Sequence, residues 1–397
     1  MIGPDNRAGA MRVLMISFDP HLAAPEANDA IRRHAEYAAA AGELTILVHT
    51  RAGRPVIERH EGGLHILPTR SRSPLTFVTD VLRLARMLNF TPDVIVAQDL
   101  YLTGLAGWLL KRRLRAPLLL QDHSLVFDNP ALLKEKPLRN RALVALASYV
   151  VRRADRIRSV SQESLESIAR RGIARERIDV LPLATASPEF AERVPPDELA
   201  TLRDRLGIPA DAKVVLWVGR PVPLKRLPLL LESFSRVLQS VPEARLLLVG
   251  DMTTAREALT AQVQALGLEK RVILHGQVPH EQLRAYYQLA DAYALTSTYE
   301  GMPRVLVEAA ASRLPCVATG MGGISAILKH GENGFYVPES DDTARDVAAR
   351  LVMLLHDADM ARRMGEAGYQ RAMRDFSTAG YAEKFVTLWR KTAQSRP

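Results

Sequence analysis

Leu246-Leu247-Leu248-Val249-Gly250-Asp251 is an unbroken apolar run that stops at a glycine and an acid. A strand of that composition has no polar face, so both faces must be covered. Helices lying on both sides of a parallel sheet provide that cover, and Gly250-Asp251 then reads as a tight strand-to-helix turn. The same kind of run recurs on either side, at Val214–Val218, Val272–Leu274, Ala292–Leu295 and Cys316–Ala318. In the first half it appears at Val13–Phe18, Leu44–His49, Val94–Ala97, Leu118–Gln121, Ile157–Val160 and Val180–Leu181. Amphipathic stretches such as Ala30–Ala41, Thr103–Arg113 and Ala142–Arg153 lie between them. Alternating strands and helices predict an α/β chain with two doubly wound, Rossmann-like domains.

Pro188, Pro195, Pro196 and Pro209 cluster where no strand pattern exists, which puts a boundary there. The reading is a first domain over 11–195 and a second over 196–377. Residues 341–394 read as three helices without a strand, and the last, 378–397, is expected to pack back on the first domain. Residues 1–10 lack an apolar core and read as a disordered arm or as a start site placed too early. Ligands of doubly wound sheets sit beyond the carboxyl ends of the strands, so the expectation is two sheet mouths facing across one cleft.

Bulk properties exclude several classes. A chain of 397 residues with 47% hydrophobic and 24% charged content is an ordinary globular sequence. Cys316 is the one cysteine, so no intramolecular disulfide and no cysteine-based zinc site can form, which fits a reducing compartment and a cytoplasmic location. No apolar stretch is long enough to span a membrane. Most of the formal +9 falls before Pro196, in clusters such as Lys111-Arg112-Arg113-Arg115 and Arg152-Arg153 with Arg156 and Arg158. These are either solvated helix faces or a surface that meets anionic lipid at the inner face of a membrane. No nucleic-acid-binding motif accompanies the charge.

Two constellations carry chemistry. In Val218-Gly219-Arg220-Pro221-Val222-Pro223-Leu224-Lys225 a buried strand ends in a turn bearing two cations. Arginine and lysine at a sheet mouth suit a diphosphate. In Thr296-Ser297-Thr298-Tyr299-Glu300-Gly301-Met302-Pro303-Arg304, continuing to Glu308, a strand runs through a glycine turn into a helix. Proline at the first helical position is favoured, and the amides of Arg304, Val305 and Leu306 would form an anion site aided by the helix dipole. No metal-ligand set is visible. Asp357-Ala358-Asp359 reads as solvated surface, and neither a metal nor another cofactor is expected.

From Met11 to about Tyr381 the chain resembles glycosyltransferase family 4, whose members have the two-domain GT-B architecture. Glu300-x7-Glu308 inside Tyr-Glu-Gly-Met-Pro matches its signature, and Arg220-x4-Lys225 its phosphate pair. Ala290-Asp291-Ala292, Ser297, Gly322-Gly323-Ile324 and His330-Gly331-Glu332-Asn333-Gly334-Phe335 match as well. The resemblance implies a retaining transfer of a sugar from a nucleotide diphosphate donor to a saccharide or lipid-linked saccharide. It places Glu300 near the donor sugar, Glu308 on the ribose, and the backbone of Gly276-Gln277-Val278 near the base. Gly219, Gly301, Met302 and Pro303 belong to the same donor site. His123, after Leu118–Gln121, matches a histidine near the transferred sugar.

The chain also departs from that family. Asp19-Pro20-His21-Leu22-Ala23-Ala24-Pro25-Glu26 stands where a Gly-Gly loop is usual, Ala184-Thr185-Ala186-Ser187 replaces Asn-Gly-Val-Asp, Ala326 replaces a glutamate, and Arg226 stands where glycine is common. A nucleotide-sugar epimerase on the same architecture and a non-catalytic nucleotide-binding homologue are the alternative readings.

Overall fold

The computed structural model describes residues 10–26, 28–53, 55–88, 90–123, 126–128 and 137–395. The expected arm, apart from Ala10, lies outside the described residues, as does Ser124 beside His123. The chain divides into two units, one of Met1–Leu181 with Gly380–Pro397 and one of Pro182–Ala379.

The first unit is built on an eight-stranded sheet. Its strands are β1 (Met11–Ser17), β2 (Gly42–Val48), β3 (Arg59–Glu61), β4 (Leu64–Pro68), β5 (Val94–Ala97), β6 (Leu118–Asp122), β7 (Arg156–Ser159) and β8 (Ile178–Val180). Their order is β3-β4-β2-β1-β5-β6-β7-β8, and every pairing is parallel except β3 with β4. Leu14, Ile16, Ile95, Ala97, Leu118 and Leu120 pack with Phe77, Val81, Leu110 and Val150 into one core. The last helix, Tyr381–Ala393, belongs to this unit, and its Phe385 and Trp389 rings lie 5.0 and 6.0 Å from Tyr37.

The second unit carries β9 (Val214–Val218), β10 (Arg245–Val249), β11 (Val272–His275), β12 (Ala292–Leu295), β13 (Tyr299–Glu300), β14 (Cys316–Thr319), β15 (Met321–Gly322) and β16 (Gly334–Val337). Six form a parallel sheet in the order β11-β10-β9-β12-β14-β16, and β13 pairs with β15 separately. The apolar run 246–249 divides as its pattern requires. Leu247 and Val249 enter one core with Leu216, Leu306 and Val307, while Leu246 and Leu248 enter another with Trp217, Leu230 and Phe234. The strand order reverses between β9 and β12, which is where doubly wound sheets bind ligands. Both constellations follow those two strands.

The first segment of the first unit ends at Leu181, ahead of the proline cluster. The segment after it is stitched to the second unit: Thr185 and Ala186 donate their amides to Phe376 O at 3.0 and 2.9 Å, and Phe190 is buried in the second unit's core. Ala184–Ser187 therefore serves as backbone pairing there. Among the described residues no helix is long and apolar enough to cross a membrane.

Candidate functional site

In the second unit, three loops converge at the carboxyl ends of β9, β12 and β14. Close packing of backbone requires glycine here. A Cβ on Gly250 would lie 1.8 Å from Gly219 O, and one on Gly323 would lie 2.2 Å from Gly301 O. Gly323 also donates its amide to Glu300 O at 2.8 Å, which presses the loop after β14 against Glu300-Gly301-Met302.

After β9 the chain makes a short helical turn, Pro223–Lys225. Thr298 donates its amide to Leu224 O at 2.9 Å, and the Thr296 hydroxyl donates to Lys225 O at 3.0 Å. These bonds bring the two motif loops together. Lys225 Nζ lies 2.5 Å from Glu300 Oε1, and the Ser297 hydroxyl donates to the same oxygen at 2.5 Å. The lysine is thus not a lone cation; Glu300 already compensates it, and an arriving anion must share it. Arg220 lies between β9 and that turn, with its side chain exposed, and has no ion-pair partner among the described residues. Its charge is available to solvent-borne anions.

The helix after the glycine turn runs Arg304–Ala311, with Pro303 as its cap and no side-chain cap. Proline therefore stands one position earlier than the sequence suggested. Leu306 donates its amide to Pro303 O at 3.0 Å, so it is not one of the free anion-binding groups expected. The amides of Arg304 and Val305 have no acceptor among the described residues, and they form the exposed helix end. Arg304 itself is exposed.

Glu308, on the second turn, is buried, and both of its oxygens are used. Tyr287 donates its hydroxyl to Oε2 at 3.0 Å, and His280 Nε2 lies 3.0 Å from Oε1. Burial, with Glu308 adding to it, raises the Tyr287 phenol well above its ordinary pKa, so it stays a donor. Tyr287 and His280 are distant in sequence, and no spacing rule announced them. Val278 turns its side chain into the core, while Gly276 O accepts from the Gly250 amide at 3.2 Å. The segment thus anchors β10 to the end of β11 and leaves Gly276 and Gln277 exposed.

In the first unit, His123 follows β6 and is partly buried. Burial, with the Arg158 and Arg33 guanidinium groups adding to it, pushes its pKa down to about 3, so the imidazole is neutral at ordinary pH. Arg158 is fully buried and donates to Gln121 Oε1, Leu181 O and the Tyr381 hydroxyl at 2.8, 2.8 and 2.7 Å. The Asp122 carboxylate accepts from the Ser164 hydroxyl. The loop lacking Gly-Gly forms a short turn, Pro20–Ala23, capped by Asp19 and tied by Asn28 Nδ2 to His21 O at 2.8 Å. Leu22 and Ala23 of this turn are buried.

Among the described residues no group of three or more His, Cys, Asp or Glu could hold a metal. Asp357 caps the helix Ala358–Asp375, and Asp359 pairs with Arg362 at 2.9 Å on the surface.

Comparison with known proteins adds the lineage. Residues 200–371 match the family described as glycosyl transferases group 1, and residues 27–184 match the glycosyl transferase 4-like domain. A D-inositol 3-phosphate glycosyltransferase of Kineococcus radiotolerans is 32% identical over 320 residues, covering 76% of this chain and 72% of that protein. The Nocardia farcinica protein of the same name is 32% identical over 316 residues, covering 77% and 68%. Anabaena HepE, solved in complex with UDP, shares the fold at TM-score 0.76 and 20% identity, covering 96% of this chain and 100% of that one. Sucrose-phosphate synthase from Thermosynechococcus elongatus does so at TM-score 0.75 and 23% identity, covering 96% and 98%. With its two parallel-sheet units, its GT-B fold and its paired motifs, this chain belongs to the group 1, family 4-like glycosyltransferases.

Proposed function

We propose that this glycosyltransferase takes a hexose from a nucleotide diphosphate sugar, retains its anomeric configuration and needs no metal. The supporting observation is the cluster of Lys225, Glu300 and Ser297 beside the exposed helix end at the strand-order reversal of the second unit. HepE has been solved with UDP-glucose, which supports the donor class.

On this reading the diphosphate lies on the amides of Arg304 and Val305 and on Lys225 and Arg220. The bond between the anomeric carbon and the phosphate oxygen breaks, and its electron pair passes to the diphosphate. Fixed positive groups stabilise that charge more than they stabilise the bound donor, and so lower the barrier. The acceptor oxygen attacks the same face and gives its proton to the departing phosphate oxygen. Glu300 positions the sugar and Lys225, and Glu308 accepts from the ribose. His123, kept neutral, is the first unit's candidate for the sugar-handling step. The acceptor is a saccharide or lipid-linked saccharide; the relatives named for D-inositol 3-phosphate add a phosphorylated cyclitol to the panel.

A thermal-shift screen of UDP-, GDP- and ADP-sugars selects the donor, because ligand binding to the folded state raises its stability. Product analysis by NMR then reads the anomer, with EDTA present. Inversion, or loss of turnover in EDTA that a divalent cation restores, would refute the corresponding part. Epimerised donor without acceptor would favour the epimerase reading.

Peripheral contact with an anionic membrane is a separate proposal. On the first unit Arg112 and Arg153 lie 5.7 and 5.5 Å from the Trp108 ring, which meets Tyr149 edge-on, and Leu138 is 83% exposed nearby in sequence. Cations beside aromatic and apolar groups suit a lipid surface. Salt-sensitive sedimentation with phosphatidylglycerol vesicles is expected, and no binding at low salt would end the idea.

A further inference from the structure

Arg226 adopts the left-handed conformation, with φ 46 and ψ 49. A residue with a side chain is held there only when its surroundings over-determine it. The surroundings are visible. Its Nε donates to Thr296 O at 2.8 Å, and Nη2 reaches Thr319 Oγ1 at 2.9 Å and Ser297 O at 3.3 Å. Nη2 and Nη1 form a two-pronged pair with Glu339 at 2.5 and 3.0 Å.

These acceptors belong to different strand ends. Arg226 follows β9, Thr296 and Ser297 follow β12, Thr319 ends β14, and Glu339 follows β16. In the sheet those four strands are consecutive. One guanidinium therefore spans four adjacent strand ends, and the flat fork of arginine suits that task where lysine would not. Two of the ties adjoin the chemistry. The Thr296 hydroxyl returns to Lys225 O and Arg226 O at 3.0 and 3.2 Å, and Ser297 is the residue that donates to Glu300. An isolated ion pair with the half-exposed Glu339 would be worth little. Here the pair orients a guanidinium whose other bonds end on strand-end backbone and a buried threonine.

We propose that Arg226, oriented by Glu339, is a positioning residue that fixes Lys225 and Ser297–Glu300 in one register for donor turnover. Its own charge is spent on Glu339, so it does not bind the diphosphate. The proposal rests on the donor reading above.

The test measures donor turnover in full-length R226G, E339Q, the double variant and K225A, using the nucleotide sugar that most stabilises the wild type. Glycine accepts the left-handed backbone, so R226G removes the guanidinium without forcing a new backbone. Expected is a fall in kcat of about tenfold or more for R226G, with KM changed less than about threefold. Ethylguanidinium should restore part of that kcat, and the double variant should be no slower than R226G, because the two residues act as one unit. E339Q keeps the shape and loses the charge; its kcat should fall several-fold, and it carries the test should R226G not fold. Unchanged kcat in both variants, or a loss confined to KM, overturns the proposal. If K225A also turns over like the wild type, the donor reading falls first; if K225A is inactive while R226G is normal, only the positioning role is lost.

Discussion

Lys225 and Glu300 form a close pair, Nζ to Oε1 at 2.5 Å, with side chains 17% and 12% exposed. Lys225 ends the turn after β9, and Glu300 lies in the short β13 that follows β12, the neighbour of β9 in the sheet. An ion pair this sheltered is expensive to break by removing one partner, because the other charge is left without compensation. On the donor reading proposed above, the pair would hold the lysine in place before the donor binds, and Lys225 would then be shared between Glu300 and the diphosphate.

Replacing Lys225 by alanine should therefore do two things. Donor turnover should fall by about a hundredfold or more, as for loss of one preorganised group that stabilises developing charge. Stability in urea should drop by about 1–3 kcal/mol, because Glu300 is left sheltered without its cation. Steady-state kinetics and urea melts check both.

Gly323 offers a steric test of the same loop. A Cβ at this position would meet Gly301 O at 2.2 Å and Met302 Cα at 3.1 Å. Because the obstacle is backbone, no side chain can swing away. G323A should lose about 1–3 kcal/mol of stability and most turnover, read by urea melts and steady-state rates.

Tyr287 to phenylalanine removes the donor to Glu308 Oε2 and leaves the ring in place. If Glu308 holds the ribose, the orientation of its carboxylate matters chiefly to donor binding. The expected result is a donor KM raised by about tenfold with kcat little changed, the signature of lost uniform binding.

His34 predicts the acid limb of the stability curve. Burial holds its pKa near 4, against the hydrogen bond it makes with Ala30 O at 2.7 Å. Its folded pKa is lowered, so between about 6.5 and 4 the unfolded chain binds the extra proton. Stability therefore rises with pH across that window and is lost as pH falls through it, by at most about 1.4 kcal/mol per unit from this group. In H34Q the slope should be shallower. The imidazole signals of His34 and His123 should stay those of neutral rings from pH 8 to pH 5.5 in NMR.

The strands were legible because burial on both faces leaves a composition with one meaning: Val214–Val218 and Ala292–Leu295 lie where their apolar runs lie. The hairpin of β3 and β4 escaped, since Arg59-His60-Glu61 is a short charged edge with no apolar face to announce it. β16 escaped because Gly334–Val337 is brief and follows a polar turn. The motif loops were readable as local patterns, down to a helix starting beside Pro303, though the proline caps that helix and is not its first residue. What they touch was not. The partners of Glu308 come from Tyr287 and His280 across the fold, and the loss of the Leu306 amide depends on a single turn of backbone geometry. Arg226 was visible as an oddity where glycine is usual, but its bonds to Thr319 and Glu339 require the sheet order.

Comparing nucleoside diphosphates with their monophosphates shows whether Lys225 recognises a diphosphate. UDP, GDP, ADP and the corresponding monophosphates would be titrated calorimetrically into the wild type and into K225A. The wild type should bind one diphosphate at least about tenfold more tightly than its monophosphate, a difference of about 1.4 kcal/mol, and K225A should abolish the preference. Equal affinity for both forms in the wild type, or an undiminished preference in K225A, would contradict diphosphate recognition by Lys225.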